Sequence, residues 1–189
     1  MSKELRGFGQ SLQLATLDQA RAGKASAQRA IFERYQFAVI RTLIGLCHDT
    51  ELARDLAQDV FIQAFAKVHQ VRDHHAFGGW LKQLTIRTAL AHFRRHKPTL
   101  ELADNQQVNT DWSGMADWLI QLRDVETLIN QLNDHDRMIV WLYLGEGFNH
   151  EEIASLTAEE PAAIRQRYHR ALKKLHQFIT KGADHEHSK

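Results

Sequence analysis

Cysteine and proline are almost absent from this chain of 189 residues, which contains one cysteine and two prolines. The single cysteine, Cys47, excludes an internal disulfide framework. No stretch approaches the roughly 20 apolar residues that a membrane-spanning helix needs. The segment from Met1 to Gln10 also lacks the basic and then apolar pattern of a signal peptide. Together these absences predict a cytoplasmic protein.

Net charge is also small, at +1, but the charges are unevenly distributed. Six basic residues and no acid lie in Pro161–Lys181, and six basic residues against the single acid Asp73 lie in Arg72–Lys97. Between these segments, residues 98–117 carry four acids and no base. Two basic segments separated by an acidic one indicate a protein with distinct charged surfaces.

Helical periodicity dominates, and no alternating strand pattern is present, so the predicted fold class is all-α. Two small helical domains are predicted, at residues 10–97 and 115–180, the second containing a helix-turn-helix. Residues 98–114 are polar and lack a period, which predicts a flexible acidic linker. The predicted helices are a short one near Leu12–Leu17, Ala25–Leu46, one starting at Asp49 or Thr50, one after Gly78–Gly79 that ends before Pro98, Met115–Gln131, Asp134–Leu144 and a final pair from Asn149 onward.

The final pair of helices is the clearest functional element. Asn149 is predicted to cap the first helix, with Glu152 three residues later completing a capping box. Pro161 suits the first position of the second helix, because its missing N–H is not needed there. A short capped helix, a tight turn and a second helix that is basic on its free side are typical of a recognition helix for the DNA major groove. The core stripe of that helix is predicted to comprise Ile164, Tyr168, Ala171, Leu172, Leu175 and Phe178.

Several segments carry a family resemblance. They are Arg54–Phe65, Phe77, Trp80–Leu81, Arg94–Arg95, Leu128, Leu132, Met138–Ile139, Leu142, Gly147, Glu151–Ala154, Ile164–Ala171 and Lys174–Leu175. The early segments resemble the polymerase-clamp-binding and −10-reading helices of extracytoplasmic-function (ECF) sigma factors of bacterial RNA polymerase, and the later ones resemble their −35-binding domain. The resemblance covers about residues 20–97 and 118–178. We expect only a short leader before the first domain and no third domain in the linker, both of which are typical of this group.

The resemblance implies a promoter-selecting initiation factor that has no catalytic residues and needs no cofactor. Carboxylates and an amide would accept hydrogen bonds from arginines of the core polymerase clamp; the residues implied are Asp55, Gln58 and Asp59. Aromatic and basic groups would bind single-stranded −10 DNA; the candidates are Trp80, Arg87, His92, Arg94 and Arg95. Groups that contact phosphates and base edges would bind duplex −35 DNA; the candidates are Arg165, Gln166, Arg167, Arg170 and Lys173. An anti-sigma factor is the implied regulatory partner.

Simpler interpretations stay open beside these roles. The three residues on the clamp-facing helix also fit a solvated acidic face, and Trp80 lies on an apolar stripe and fits a core position. The acidic linker resembles the segment that threads the polymerase's active-site channel, but its composition also fits a plain tether.

This chain departs from the family pattern in two places. Arg87 and Ala91 stand where the family often has Asn and Asp, which leaves the −10 base preference open. The turn before the recognition helix lacks the glycine and the apolar residue that are often found there. Glu159 and Glu160 also lie at the N-terminus of the recognition helix, where they favour the helix dipole but would repel a nearby phosphate. We hypothesise that they weaken −35 binding or read a cytosine amine.

Two other classes of function compete with the sigma-factor interpretation. A stand-alone helix-turn-helix regulator would bind duplex DNA without polymerase. A metal-dependent hydrolase would use Asp73, His74 and His75. Neither this cluster nor His185–His187 has the spacing of a closed zinc site, so no metal is expected.

Overall fold

The computed structural model describes residues 7–96 and 128–186, with side chains as far as residue 178. All regular elements in these ranges are helical, which confirms the all-α prediction. Contacts divide the chain into two units, Met1–His96 and Lys97–Lys189. The predicted linker, and most of the helix predicted from Met115, lie outside the described residues.

The first unit contains four helices and one 3₁₀ turn. They are α1 (Leu14–Arg21), α2 (Ala25–Cys47), α3 (Thr50–Lys67), the 3₁₀ turn Val68–Gln70 and α4 (Phe77–His96). Helix α2 packs against α1, α3 and α4. Four of its fully buried side chains recur at intervals of four residues and form an apolar stripe. That stripe comprises Ile31, Tyr35, Val39 and Leu43.

Local sequence signals explain where these helices begin. Asp49 caps α3, because its side chain accepts hydrogen bonds from the N–H groups of Glu51 and Leu52 at 2.9 and 3.0 Å.

The Tyr35 hydroxyl, buried under the segment before α1, donates to the carbonyl of Gln10 at 2.6 Å. A buried hydroxyl that finds a backbone acceptor holds this segment on the helical core.

The second unit contains three described helices. They are α5 (Asp134–Val140), which continues into a π-helical turn at Trp141–Gly145, α6 (His150–Thr157) and α7 (Pro161–Glu186). Helix α7 packs on both α5 and α6. The predicted core stripe of α7 is buried from Ile164 to Leu175, but the prediction was wrong for Phe178, which is 37% exposed. Among the described residues of α7, the buried stripe ends at Leu175.

Candidate nucleic-acid interface

The helix-turn-helix consists of α6, a three-residue turn and α7. The predicted capping box is present: Asn149 Oδ1 accepts the N–H of Glu152 at 2.9 Å, and Glu152 Oε2 accepts the N–H of Asn149 at 2.8 Å. Ala158 ends α6 in the left-handed conformation, with φ of 60°. Pro161 then begins α7, as predicted. This turn sets the direction in which α7 leaves α6.

The predicted −35-binding side chains do not share one environment. Arg165 and Lys173 are exposed, and Gln166 and Arg170 are half-buried. Arg165 lies 3.5 Å from the carboxylate of Glu151 on α6, and both groups are open to solvent. An exposed pair of this kind is weak and can exchange readily for a phosphate. These four residues give α7 a polar face on which two of the cations are exposed.

Arg167 lies apart from that face, which is at odds with its predicted role in DNA binding. Its side chain is 12% exposed, and its guanidinium lies between two carboxylates. Its nitrogens are 3.9 Å from Asp136 Oδ1 and 3.7 Å from Glu159 Oε2. This position could not be predicted from sequence, because the spacing of residues along a helix does not show which turn of the helix meets the acids of a neighbouring element.

Glu159 points into the domain. Its Oε1 atom is 2.8 Å from Nε2 of the buried His135 on α5, and its side chain is 19% exposed. Burial acts to raise the pKa of Glu159, but the hydrogen bond and charge of His135 and the charge of Arg167 outweigh it and hold that pKa below its ordinary value. Glu160, by contrast, is exposed at the start of α7. Only one of the two acids in the turn therefore lies where a phosphate could meet it.

Asp136, in the same region, is a buried acid with a side chain that is 5% exposed. Lys174 of α7 donates to its Oδ2 atom at 3.0 Å, and the Asn133 amide donates to the same atom at 3.0 Å. The sequence analysis assigned no functional role to His135, Asp136 or Lys174. The one available signal was the acid at a turn position where the family often has an apolar residue.

An aromatic and histidine group lies where α6 begins. The ring of His150 stacks on Tyr143, with centroids 4.7 Å apart, and lies 5.2 Å from Tyr168 and 6.5 Å from His169. Burial, followed by the positive charges of Arg165 and His169, lowers the pKa of His150, against the opposing effect of Glu151. The uncharged imidazole is therefore favoured beside the cations of α7.

The predicted core-polymerase residues lie on α3. Asp55, Gln58 and Asp59 are all exposed. Ile62 is on the same helical face and is 67% exposed. This face is opposite to the buried residues of α3, and the structure brings the three predicted residues together as one surface.

The predicted −10 residues are distributed along α4. Arg87, Arg94 and Arg95 are exposed, whereas His92 is half-buried and stacks on His96 with ring centroids 4.1 Å apart. Burial, then the charges of His96 and Arg95, lower the pKa of His92, while Asp59 of α3 acts to raise it. The acidic face of α3 and the basic end of α4 are thus close enough to interact.

Trp80 lies near the start of α4 and is half-buried. Its ring centroid lies 5.6 Å from that of the fully buried Phe77. This packing matches the core interpretation of Trp80 more closely than the stacking one.

The Asp73–His74–His75 segment precedes α4. One possible ligand atom from each residue lies within 4.8 Å of the others. The Asp73 carboxylate already accepts the N–H of His75 at 2.9 Å, and the Asp73 carbonyl accepts the N–H of Ala76 at 3.2 Å. These bonds make a turn that leads into α4, and they account for the aspartate without a metal. The other histidine cluster, His185–His187, lies outside the described side chains.

Within residues 7–96 and 128–186, every helix is too short or too polar to cross a membrane.

Comparison with known proteins gives two family matches. Residues 31–99 match the model for sigma-70 region 2, and residues 122–175 match the model for sigma-70, region 4. Together the two matches cover nearly two thirds of the chain. Their order along the chain is the one that the resemblance implied.

Individual relatives agree with the family matches. A probable RNA polymerase sigma factor, RfaY of Xanthomonas campestris pv. campestris, is 28% identical over 163 residues, which are 82% of this chain and 41% of the relative. The chain thus spans less than half the length of that relative. The ECF RNA polymerase sigma factor SigM of Bacillus subtilis is 24% identical over 159 residues, which are 82% of this chain and 97% of the relative.

A solved structure of CnrH in complex with the cytosolic domain of CnrY is 18% identical, with a TM-score of 0.49 over 88% of this chain and 96% of that one. The two consecutive family matches, and relatives named as ECF sigma factors, show that the chain belongs to the sigma-70 family of RNA polymerase sigma factors, as an alternative sigma factor of the ECF type that directs promoter-specific transcription initiation.

Proposed function

We propose that this sigma factor engages polymerase and promoter through three separate helix faces, on α3, α4 and α7. The observation that carries the proposal is the sorting of charge between them: exposed carboxylates lie on α3, and exposed guanidinium groups lie on α4 and α7. Each sign of charge suits the ligand that the family would present, a basic clamp for α3 and DNA for the others. The protein acts by binding rather than by catalysis, in the cytoplasm where polymerase works.

Core polymerase binds the face of α3 that contains Asp55, Gln58 and Asp59. Hydrogen bonds from arginines to carboxylates are charge-assisted and directional, so two acids one turn apart select a partner helix with matching cations. Ile62 continues this face and supplies an apolar contact that a purely solvated face would lack. Its exposure in the free protein supports an interface over the simpler interpretation.

Single-stranded −10 DNA binds along α4, with Arg87, Arg94 and Arg95 neutralising phosphates. His92 contributes from the same helix, although its half-buried ring restricts it to an edge contact. Trp80 supports α4 from the core in this proposal and does not stack on a base. Arg87 stands where the family often has Asn. A base contact at this position is therefore made by a guanidinium group and not by a side-chain amide.

Duplex −35 DNA binds the polar face of α7. Arg165, Gln166 and Arg170 lie in the first three turns of α7, the part of a recognition helix that enters the major groove, and Lys173 lies in the fourth turn. Arg165 and Gln166 are the residues proposed to read base edges, since both can form bidentate hydrogen bonds. Lys173, farther along α7, suits a phosphate.

An anti-sigma factor is the proposed regulatory partner, as is typical of the group. Such a partner would compete with polymerase for exposed surfaces such as the α3 face.

Reconstituted transcription with core polymerase on a promoter library tests the proposal. The Asp55→Ala/Asp59→Ala variant should lose promoter-specific transcripts and core binding. The matched control is Glu33→Ala, which removes an exposed acid from α2 in the same domain and should leave both unchanged. Specific duplex binding without core, unaffected by the α3 variant, would instead favour a stand-alone helix-turn-helix regulator.

A further inference from the structure

A partly buried network of charged groups joins three elements of the second unit. It links His135 and Asp136 of α5, Glu159 of the turn, and Arg167 and Lys174 of α7. Two contacts are within hydrogen-bond distance: His135 Nε2 to Glu159 Oε1 at 2.8 Å, and Lys174 Nζ to Asp136 Oδ2 at 3.0 Å. Arg167 lies between the two carboxylates, 3.7 and 3.9 Å away. We call these five residues the turn network.

Placing a carboxylate in this position is costly unless the charge is matched. A buried acid loses its hydration, and only well-placed cations and hydrogen bonds offset that loss. Glu159 has such partners on both sides, from α5 and from α7. Its side chain therefore fixes the turn relative to two helices at once, which an apolar residue could do only by non-directional packing.

We propose that Glu159 is a positioning residue for promoter recognition: it holds the turn against His135 and holds Arg167 inward, so that Arg167 orients the recognition helix and does not contact DNA. Arg165, Gln166, Arg170 and Lys173 are then left as the −35-reading face. This inference rests on the proposed function of α7 in −35 binding.

A Glu159 side chain that faced the promoter would have the opposite effect on promoter affinity. If Glu159 faced the promoter, its charge would repel phosphates, and neutralising it would tighten binding. Because Glu160 is adjacent, exposed and at the start of α7, it provides the matched control for that effect. The two neighbouring acids should therefore respond in opposite directions to the same chemical change.

The experiment measures binding of the holoenzyme, core polymerase with the full chain, to a cognate promoter and to the same promoter with its −35 element randomised. Glu159→Gln should reduce the −35-dependent part of the affinity by about tenfold, as expected for residues coupled in one network. Glu160→Gln should leave it unchanged or strengthen it. Tighter binding by Glu159→Gln would overturn the proposal.

Salt dependence separates positioning from contact. Loss of one phosphate contact reduces the slope of log affinity against log salt by about 0.9. Arg165→Ala and Lys173→Ala are the reference variants for contact residues, and at least one of them should show this reduction. Arg167→Gln should weaken −35-dependent binding with the slope unchanged. A slope reduced by Arg167→Gln would show that Arg167 contacts phosphate.

A double-variant cycle tests whether Glu159 and Arg167 act through one contact. The loss in Glu159→Gln/Arg167→Gln should be close to the larger single loss, whereas additive losses would overturn the proposal. Met138→Ala, a core truncation in α5 outside the turn network, controls for simple destabilisation. All binding is measured at a temperature well below the unfolding midpoint of the least stable variant. Under these conditions the promoter affinity of Met138→Ala should still depend on the −35 element.

Failure of this proposal is distinguishable from failure of the proposed function. If Arg165→Ala, Arg170→Ala and Lys173→Ala all leave the −35-dependent affinity unchanged, α7 is not the reading helix and the proposed function fails. If those variants weaken binding while Glu159→Gln does not, only the positioning role fails.

Discussion

Asn149 and Glu152 exchange hydrogen bonds at the start of α6, each side chain accepting the backbone N–H of the other residue. Two N–H groups that the helix itself cannot satisfy are thereby paired. The exchange fixes the first turn of α6 and, through it, the position of His150 beside Tyr143. The entry into the helix-turn-helix is thus defined by four consecutive residues.

Removal of this cap should destabilise the second domain. Asn149→Ala is expected to lower the free energy of unfolding by about 1 kcal/mol, the usual cost of losing a side-chain cap. Denaturant unfolding followed by circular dichroism measures it. Ser155→Ala, at an exposed position within α6, is the control and should have little effect or a slightly stabilising one. Equal losses in the two variants would contradict a capping role.

Ala158 occupies a left-handed conformation that favours glycine, with φ of 60°. Ala158→Gly should therefore raise the free energy of unfolding by about 1 kcal/mol, since glycine adopts this conformation without the Cβ clash. Ala162→Gly, in the first turn of α7, should instead lower it by up to about 1 kcal/mol. Thermal or denaturant unfolding of the two variants gives the comparison, and a destabilised Ala158→Gly would show that the turn is not strained.

Gly78 and Gly79 are neighbours in α4 but differ in what surrounds them. A Cβ at Gly78 would collide with the backbone carbonyl of Phe8, whereas a Cβ at Gly79 would meet nothing within 4 Å. Gly78→Ala should destabilise the first domain by about 1–3 kcal/mol, the usual range for overpacking. Gly79→Ala should be neutral or stabilise by about 0.5 kcal/mol. Susceptibility of the N-terminal segment to limited proteolysis should increase only in Gly78→Ala.

Acid should weaken the second domain in two steps. Burial, with the charges of Arg165 and His169, places the folded-state pKa of His150 below its ordinary value of 6.5. The unfolded chain therefore binds the proton more readily, so stability falls as the pH drops below 6.5. Burial acts to raise the pKa of Glu159, but His135 and Arg167 lower it by more, so that its folded-state pKa lies below the ordinary value of 4.5. Its contribution is present above pH 4.5 and is lost as the pH falls through the folded-state pKa.

Unfolding midpoints measured across this pH range for the protein and for His150→Gln test the first step. The variant should gain stability relative to the unmodified protein as the pH falls below 6.5, because it no longer takes up a proton on unfolding. A difference that does not change with pH would contradict this assignment. Glu159→Gln provides the same comparison below pH 4.5.

Local signals predicted the frame of the second domain well. Asn149, Glu152 and Pro161 act on backbone groups within four residues, so their roles follow from spacing alone. The same holds for Asp49 at the start of α3. The all-α class and the two family regions likewise followed from periodicity and from contiguous motifs, and the comparisons confirmed them.

The directions of particular side chains could not be predicted in this way. Glu159 points inward because His135, 24 positions earlier, lies beside it. Arg167 lies away from the polar face of α7 because its guanidinium lies between the carboxylates of Asp136 and Glu159. Gly78 is needed because the backbone carbonyl of Phe8 lies where a Cβ would stand. Each depends on which elements meet in space, and helical periodicity carries no such information.

The turn network also limits how parts of this protein can be exchanged with those of relatives. If the recognition helix of a relative were transplanted alone, its residue at position 167 would come from a protein with a different turn. His135 and Asp136 of this chain would then face that residue. A turn with the family's frequent apolar residue would leave the His135 imidazole without its acid. If Glu159 positions α7 as proposed, a functional chimera has to carry the start of α5, the turn and α7 together, and the part of the chain that sets −35 binding is larger than the surface that touches DNA.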